Sequence, residues 1–161
     1  MIEIRKYREE DKERMWEIIN FVISGGDSFT DAPGSEREQM LAGWCSPEKH
    51  TYVALSGGEI VATFYIKPNQ PGLGSHIANG SYMVAPEARG KNVGRKIGEF
   101  SIEEAKRLGF HAMQFNFVVK TNEKAVRLWK SLGFEIIGEI PEAFQHAQNG
   151  LTNALIMYRK L

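Results

Sequence analysis

The chain contains a single cysteine, Cys45. That excludes an internal disulfide and any multi-cysteine zinc site; Cys45 reads as a small buried residue. There is no excess of charge, 20 basic side chains standing against 20 acidic ones. No global field is available to hold DNA or an acidic membrane, and a basic patch must be local. No apolar run approaches the ~20 residues of a membrane span. The opening stretch MIEIRKYREED lacks the apolar segment of a secretory signal. Repeats and low-complexity tracts are missing too. These absences point to a cytoplasmic protein without a nucleic-acid or membrane partner, and no metal site is expected. With 161 residues, 42% of them apolar, the chain suits one domain spanning 1–161.

Periodicity divides the chain into alternating elements. Ile2–Tyr7 alternates as a strand, and Met15, Ile18, Ile19 and Val22 mark one face of a helix that Gly25-Gly26 ends. GGDSFTDAPGSE (Gly25–Glu36) is too rich in turn residues for regular structure, and a short helix follows over Glu36–Trp44. TYVAL and EIVATFYIK form a hairpin about Ser56-Gly57-Gly58. His76–Val84 is the next strand, stopped by Pro86. A helix runs from about Val93 to Gly109, Ala112–Val119 is a β-prone run, and a helix capped by Thr121 or Asn122 ends at Gly133. Phe134–Glu139 and Ala154–Arg159 read as the last strands, separated by a loop, PEAFQHAQNG. The implied fold is α/β: a mixed, mostly antiparallel sheet of about seven strands, a central parallel β-α-β unit, and helices on both faces.

The segment VAPEARGKNVGRKIGEF, Val84–Phe100, places small and basic residues where strand turns into helix. Four N–H groups at a helix start have no helical partner and carry about half a positive charge. Gly90 and Gly94 leave that backbone open, and Arg89, Lys91, Arg95 and Lys96 add positive side chains. A diphosphate suits such a corner, although neither G-x-x-x-x-G-K-[ST] nor a well-placed G-x-G-x-x-G is present. A solvated basic helix start is the plain alternative.

A second segment, TNEKAVRLWKSLGF (Thr121–Phe134), also follows a strand. Together the two segments resemble the GCN5-related N-acetyltransferase superfamily, with its V-x-P-x-x-R-G-x-G-x-G/A turn and its later N-x-x-A-x-x-x-[YF]-x-x-x-G-F. Val84, Pro86, Arg89, Gly90 and Gly94 fall in step with the first, and Asn122, Ala125, Gly133 and Phe134 with the second. The resemblance implies an acyl-CoA N-acyltransferase fold with acetyl-CoA as co-substrate. It implies that the amides of Asn92, Val93, Gly94 and Arg95 hold the pyrophosphate, with Arg89, Gly90 and Lys91 just before them also binding the cofactor. The pantetheine arm would pair with Met83 and Val84, where two strands splay, and Asn122 would hydrogen-bond the arm. Two positions depart: Asn92 stands for a glycine, and Trp129 for the tyrosine that commonly protonates the leaving thiolate. Asparagine tolerates unusual backbone angles. Indole is no acid, and its helix-face spacing suits core packing.

Strand alternation puts Ile77, Asn79, Ser81 and Met83 on one face, and Gln114, Asn116 and Val118 on one face of the neighbouring strand. A polar amide midway along a buried strand needs a partner, so Asn79 and Asn116 are the candidate catalytic and substrate residues; tying down backbone is the alternative. N-G-S-Y-M-V, F-N-F-V-V-K-T-N and R-L-W-K-S-L-G-F resemble a branch that includes fungal N-acetyltransferases acting on proline analogues such as azetidine-2-carboxylate. That likeness implies that Asn79 contacts the amine or acyl oxygen and Asn116 the substrate carboxylate. An α-amine is about 10% neutral at pH 7, a lysine amine below about 0.1%, so a site without a strong base favours the former; a proline-like amine needs a relay. His76 is a candidate base or simply a strand-end residue, and His146 carries no ligand signature. The Gly25–Glu36 loop, with Phe29, is expected to wall the acceptor pocket. The expectation is direct acetyl transfer to a small-molecule, amino-acid-like amine. Acetylation of a peptide N-terminus, which calls for an open groove beside Gly25–Glu36 and Pro141–Gly150, and a non-catalytic acyl-CoA-binding module are the alternatives. Dimers are common in the superfamily, so a homodimer is compatible.

Overall fold

The computed structural model describes residues 1–161. Seven strands form one sheet: β1 (Ile2–Lys6), β2 (His50–Ser56), β3 (Glu59–Pro68), β4 (Ile77–Val84), β5 (Ala112–Val119), β6 (Glu135–His146) and β7 (Gly150–Lys160). Their order is β1-β2-β3-β4-β5-β7-β6, antiparallel everywhere except between β4 and β5. Four helices pack on it: α1 (Lys12–Ser24), α2 (Arg37–Trp44), α3 (Val93–Arg107) and α4 (Glu123–Ser131). The mixed seven-stranded sheet with a central parallel crossover is the one the periodicity implies.

Two cores result, because alternate residues of one strand serve opposite faces. Val53 and Met83 join α1 and α2, with Met15, Ile18, Ile19 and Trp44. Tyr52, Ala54, Phe64 and Ala78 join α3 and α4, with Val93, Ile97 and Trp129. Asp11, buried at the start of α1, accepts two hydrogen bonds from the Arg5 guanidinium, at 2.7 and 3.0 Å, and one from Arg8 N–H at 2.7 Å. Those donors hold its carboxyl below the usual carboxylate range, the Arg5 bonds contributing most.

The expected PEAFQHAQNG loop is instead mostly strand. β6 continues to His146, and only three residues separate it from β7. Its proline made the segment look like a loop. The structure tolerates Pro141 on this edge strand inside a bulge, where Pro141-Glu142-Ala143 oppose Asn153 alone. Glu142 adopts φ 51, and its N–H donates to Asn153 Oδ1 at 2.9 Å.

A second bulge lies in β5. Phe115 opposes Met157 and Val118 opposes Leu155, so Asn116 and Phe117 together face Ile156. The extra residue returns Val118 to the α3/α4 core with Phe115. Asn116 and Val118 therefore do not share a face, contrary to the simple alternation.

Candidate active site

The parallel ladder between β4 and β5 has two residue pairs, Ile77 with Ala112 and Ala78 with Met113, and then ends. Beyond it the two strands part. Ala85 N–H donates to Val61 O at 2.8 Å, and the register continues through Met83 with Thr63. Antiparallel alternation thus gives the odd-numbered residues of β4 to β3. The N–H and C=O groups of Gly80, Tyr82 and Val84 are left pointing toward the gap. Met83 is on the wrong register to pair with a guest there: its backbone belongs to β3, and its side chain is buried against α1.

A cavity of about 390 Å³ passes through the gap. On the α3/α4 side it is bounded by Gly94, Asn122, Leu128 and Trp129; on the other by Ser28–Asp31, Tyr65 and Ser81. The helix corner on the first side is open. Asn92 takes the left-handed conformation, φ 67, and makes no side-chain cap for α3. Gly90 has φ 76, and a Cβ there would meet nothing within 4 Å. No backbone acceptor lies within hydrogen-bonding range of the Asn92, Val93, Gly94 or Arg95 amides; the first helical bond there is Lys96 N–H to Asn92 O, 3.1 Å. These donors fit the oxygens of a diphosphate. The basic side chains are less committed to that role. Arg95 donates to Ser131 Oγ at 2.6 Å and to Glu99 at 3.4 Å, tying α3 to α4, and Arg89 lies 5.3 Å from the Phe21 ring centre. Lys91 is exposed. Asn122 caps α4 by accepting from Ala125 N–H at 3.4 Å, and it borders the cavity.

Neither Asn79 nor Asn116 lines the cavity. Asn79 Oδ1 accepts from Gly80 N–H at 2.8 Å. Gly80 is the next residue after the paired Ala78 whose backbone faces β5, so Asn79 satisfies the first amide that the parting strands orphan. Asn116 is exposed, donates to Asn69 Oδ1 at 2.7 Å and accepts from Gln114 Nε2 at 2.9 Å, on the face it shares with Gln114. Phe29 lies at the cavity wall on the α1/α2 side. His76 is exposed at the strand end.

Sequence reasoning passed over Tyr82 and Tyr65. Tyr82 borders the cavity, with its ring centre 4.8 Å from that of Trp129. Its hydroxyl lies 2.8 Å from Ser101 Oγ, which itself donates to Gly98 O at 2.8 Å. Ser101 has spent its proton, so Tyr82 is the donor and its O–H points out of the cavity. Burial pushes the Tyr82 phenol well above its usual range. One local signal was present: Gly80, two residues before Tyr82 on the same face, where a Cβ would meet the Tyr82 hydroxyl at 2.7 Å. Tyr65 stands on the opposite side of the cavity, edge-on to Trp44 at 4.8 Å, and burial raises its phenol as well.

Trp129 packs on Phe115 and Phe134, at 4.4 and 5.5 Å between ring centres, while one edge borders the cavity. Gly98 makes the room: a Cβ there would approach Leu132 Cδ1 to 2.9 Å and Trp129 Cζ3 to 3.2 Å. A second cavity, of about 500 Å³, lies between Gly26–Pro33 and Ala143–Ala147 and shares Phe29, Thr30 and Asp31 with the first. His146 is part of its wall, in β6 rather than in a loop.

Comparison with known proteins gives this arrangement a context. The model of the acetyltransferase (GNAT) family matches residues 4–134. N-acetyltransferase aca1 of Schizosaccharomyces pombe is 44% identical over 84 residues, 52% of this chain and 40% of that protein. The chain thus spans about two fifths of the length of that curated relative. Among solved structures, a GCN5-related N-acetyltransferase from Kribbella flavida superposes with a TM-score of 0.94 at 38% identity, covering 99% of this chain and 98% of the other. The yncA protein of Salmonella typhimurium, solved with its cofactor acetyl-CoA, has the same fold: TM-score 0.87, 22% identity, 100% and 94% coverage.

Proposed function

We propose, from the premise that this chain belongs to the acetyltransferase (GNAT) family, that it is an acetyl-CoA-dependent N-acetyltransferase acting directly on the amine of a small amino-acid-like acceptor. The observation that carries this reading is the gap between β4 and β5. It joins an uncapped helix start on one face of the sheet to an acceptor-sized space on the other.

Acetyl-CoA supplies the activated acetyl group as a thioester, and the products are the acetylated amine and the free thiol. The amides of Asn92–Arg95 hold the diphosphate, with help from the α3 dipole. The C=O of Tyr82 and the N–H and C=O groups of Val84 receive the pantetheine amides as an added strand, in the way edge groups recruit any extended chain. Asn122 has its Nδ2 free to donate to the same arm. Trp129, Tyr82 and Phe115 exclude water around the reacting carbon. One backbone N–H aimed at the developing oxyanion is worth about 3 kcal/mol, and the Tyr82 N–H, nearer the fork, supplies that donor. Asn79 acts one step back, by keeping the strands parted at Gly80. No side chain at the Trp129 end offers an acid proton, because the Tyr82 hydroxyl is turned to Ser101. Water therefore carries the proton that the attacking amine loses to the departing thiolate, and the amine must be neutral at the moment it attacks.

Acetylation of a peptide N-terminus is favoured as the second reading by one observation, the 500 Å³ space between the α1–α2 loop and the β6–β7 hairpin. Thiol release from acetyl-CoA, measured over free amino acids, proline analogues, amino-acid amides, polyamines and short peptides, tests both. Release with one amine class supports transfer. Tight coenzyme binding with no release across the panel would establish a binding module instead.

A further inference from the structure

The two cavities meet at Thr30 and Asp31, and the charge of their walls is lopsided. Asp31 is the only Asp, Glu, Lys or Arg that borders either one. His146 does not add a positive charge on its own account. Its Nδ1 accepts from the N–H groups of Gln148 and Asn149, at 3.1 and 3.2 Å. That nitrogen carries no proton, so the proton of the neutral ring sits on Nε2. The charge of Asp31 reaches the Tyr65 phenol and the side chain of Lys49. Its ammonium is engaged elsewhere: it donates to Gly43 O at 2.5 Å, lies 4.3 Å from the Tyr65 ring centre, and borders neither cavity.

A free amino acid brings its carboxylate within a few bonds of the reacting amine. If the amine reaches the gap between β4 and β5, the carboxylate falls among walls that hold one anion and no available cation. Like charges there repel, and burying the carboxylate unpaired is costly. An amide or a peptide N-terminus has a neutral carbonyl in that place. The wall opposite Asp31 offers neutral donors for it, His146 Nε2–H and the Gln145 amide.

We propose that Asp31 selects the acceptor by charge, so that a cationic amine without a neighbouring carboxylate, as in an amino-acid amide or a peptide N-terminus, is taken in preference to the free amino acid. This rests on the reading that the two cavities receive the acceptor, and it narrows that acceptor's class. Asp31 is exposed on a loop at the cavity rim, so its replacement leaves both cores intact.

The test is calorimetric titration of the protein–CoA complex with alaninamide and, separately, with alanine, for the wild type and Asp31→Asn. The wild type should bind alaninamide about fivefold or more tightly over alanine, the scale of one partly solvated charge pair. Asp31→Asn should bring the two dissociation constants within about twofold, chiefly by weakening alaninamide, with CoA affinity unchanged. Equal binding of the two ligands by the wild type, no binding of alaninamide, or a wild-type ratio in Asp31→Asn would each overturn the proposal. Thiol release from acetyl-CoA is measured in parallel. If the binding preference holds while no thiol is released, selection by Asp31 stands and the transferase reading falls.

Discussion

Replacing Gly94 with aspartate should separate coenzyme binding from stability, moving the two in opposite directions. Gly94 is the second residue of α3, its amide has no backbone acceptor, and it borders the cavity. A Cβ there would meet only Leu128 Cδ2, at 3.5 Å, an ordinary contact. The fold therefore accepts a side chain. For folding, a carboxylate in the first turn of a helix is favourable by about 0.3–1 kcal/mol, and leaving glycine recovers a few tenths of a kcal/mol more. For binding, a carboxylate about 6 Å from a phosphate charge, at an effective dielectric of about 20, costs about 2–3 kcal/mol. Screening at physiological salt trims this to about 1.5–2 kcal/mol, a tenfold to thirtyfold rise in Kd. Calorimetry with CoA and a thermal melt of the same preparation read both quantities. Gly94→Ala serves as the uncharged control, with higher stability and a smaller loss of affinity. A Gly94→Asp protein that melts at or above the wild-type temperature yet binds CoA with unchanged Kd would refute the assignment of the α3 start as the diphosphate site.

Three further outcomes follow from the geometry. Tyr82→Phe should cost about 0.5–1.5 kcal/mol of stability through the lost bond to Ser101 and leave kcat of thiol release essentially unchanged; a large fall in kcat would mean that the phenol does reach the leaving group. Asn79→Ala leaves the Gly80 amide without its acceptor and should destabilise by about 1–3 kcal/mol. Faster hydrogen exchange at Gly80 should accompany it, and unaltered exchange there would remove Asn79 from its place at the fork. Asp11→Asn tests acid behaviour. The folded carboxyl titrates below its unfolded value of about 3.9, so its contribution is complete above that value and lost as pH falls through the lower, folded one. Wild type and variant should differ most in denaturant midpoint near neutral pH and converge below about pH 3; a constant difference across that range would count against the ion pair with Arg5.

How much could be read in advance depended on how far apart the interacting groups lie in the chain. Asn92, Gly90 and Gly94 are close neighbours, and an uncapped helix start follows from residues in one stretch of ten. The α4 cap at Asn122 is similarly local, made to an amide three residues on. Asn79 and Asn116 were legible as unusual, polar groups in buried strands, but their partners were not. Asn79 meets its neighbour Gly80 because the ladder to β5 stops there, and Asn116 meets Asn69 across 47 positions of sequence. A β-bulge shifts strand phase by one residue, and nothing in the run AMQFNFVV announces it. Pro141 misled for a related reason: proline ends an interior strand, whereas this strand turned out to lie at the sheet edge.

The chain by itself determined its class of fold and a helix start whose amides are unspent, since these rest on periodicity and contacts between near neighbours. Tertiary structure alone decided where β4 and β5 part, which way the Tyr82 proton points, and that Asp31 is the one Asp, Glu, Lys or Arg on the walls of the two cavities. Each of those depends on groups brought together from distant segments, whose pairing is set by packing of the whole sheet rather than by any local pattern.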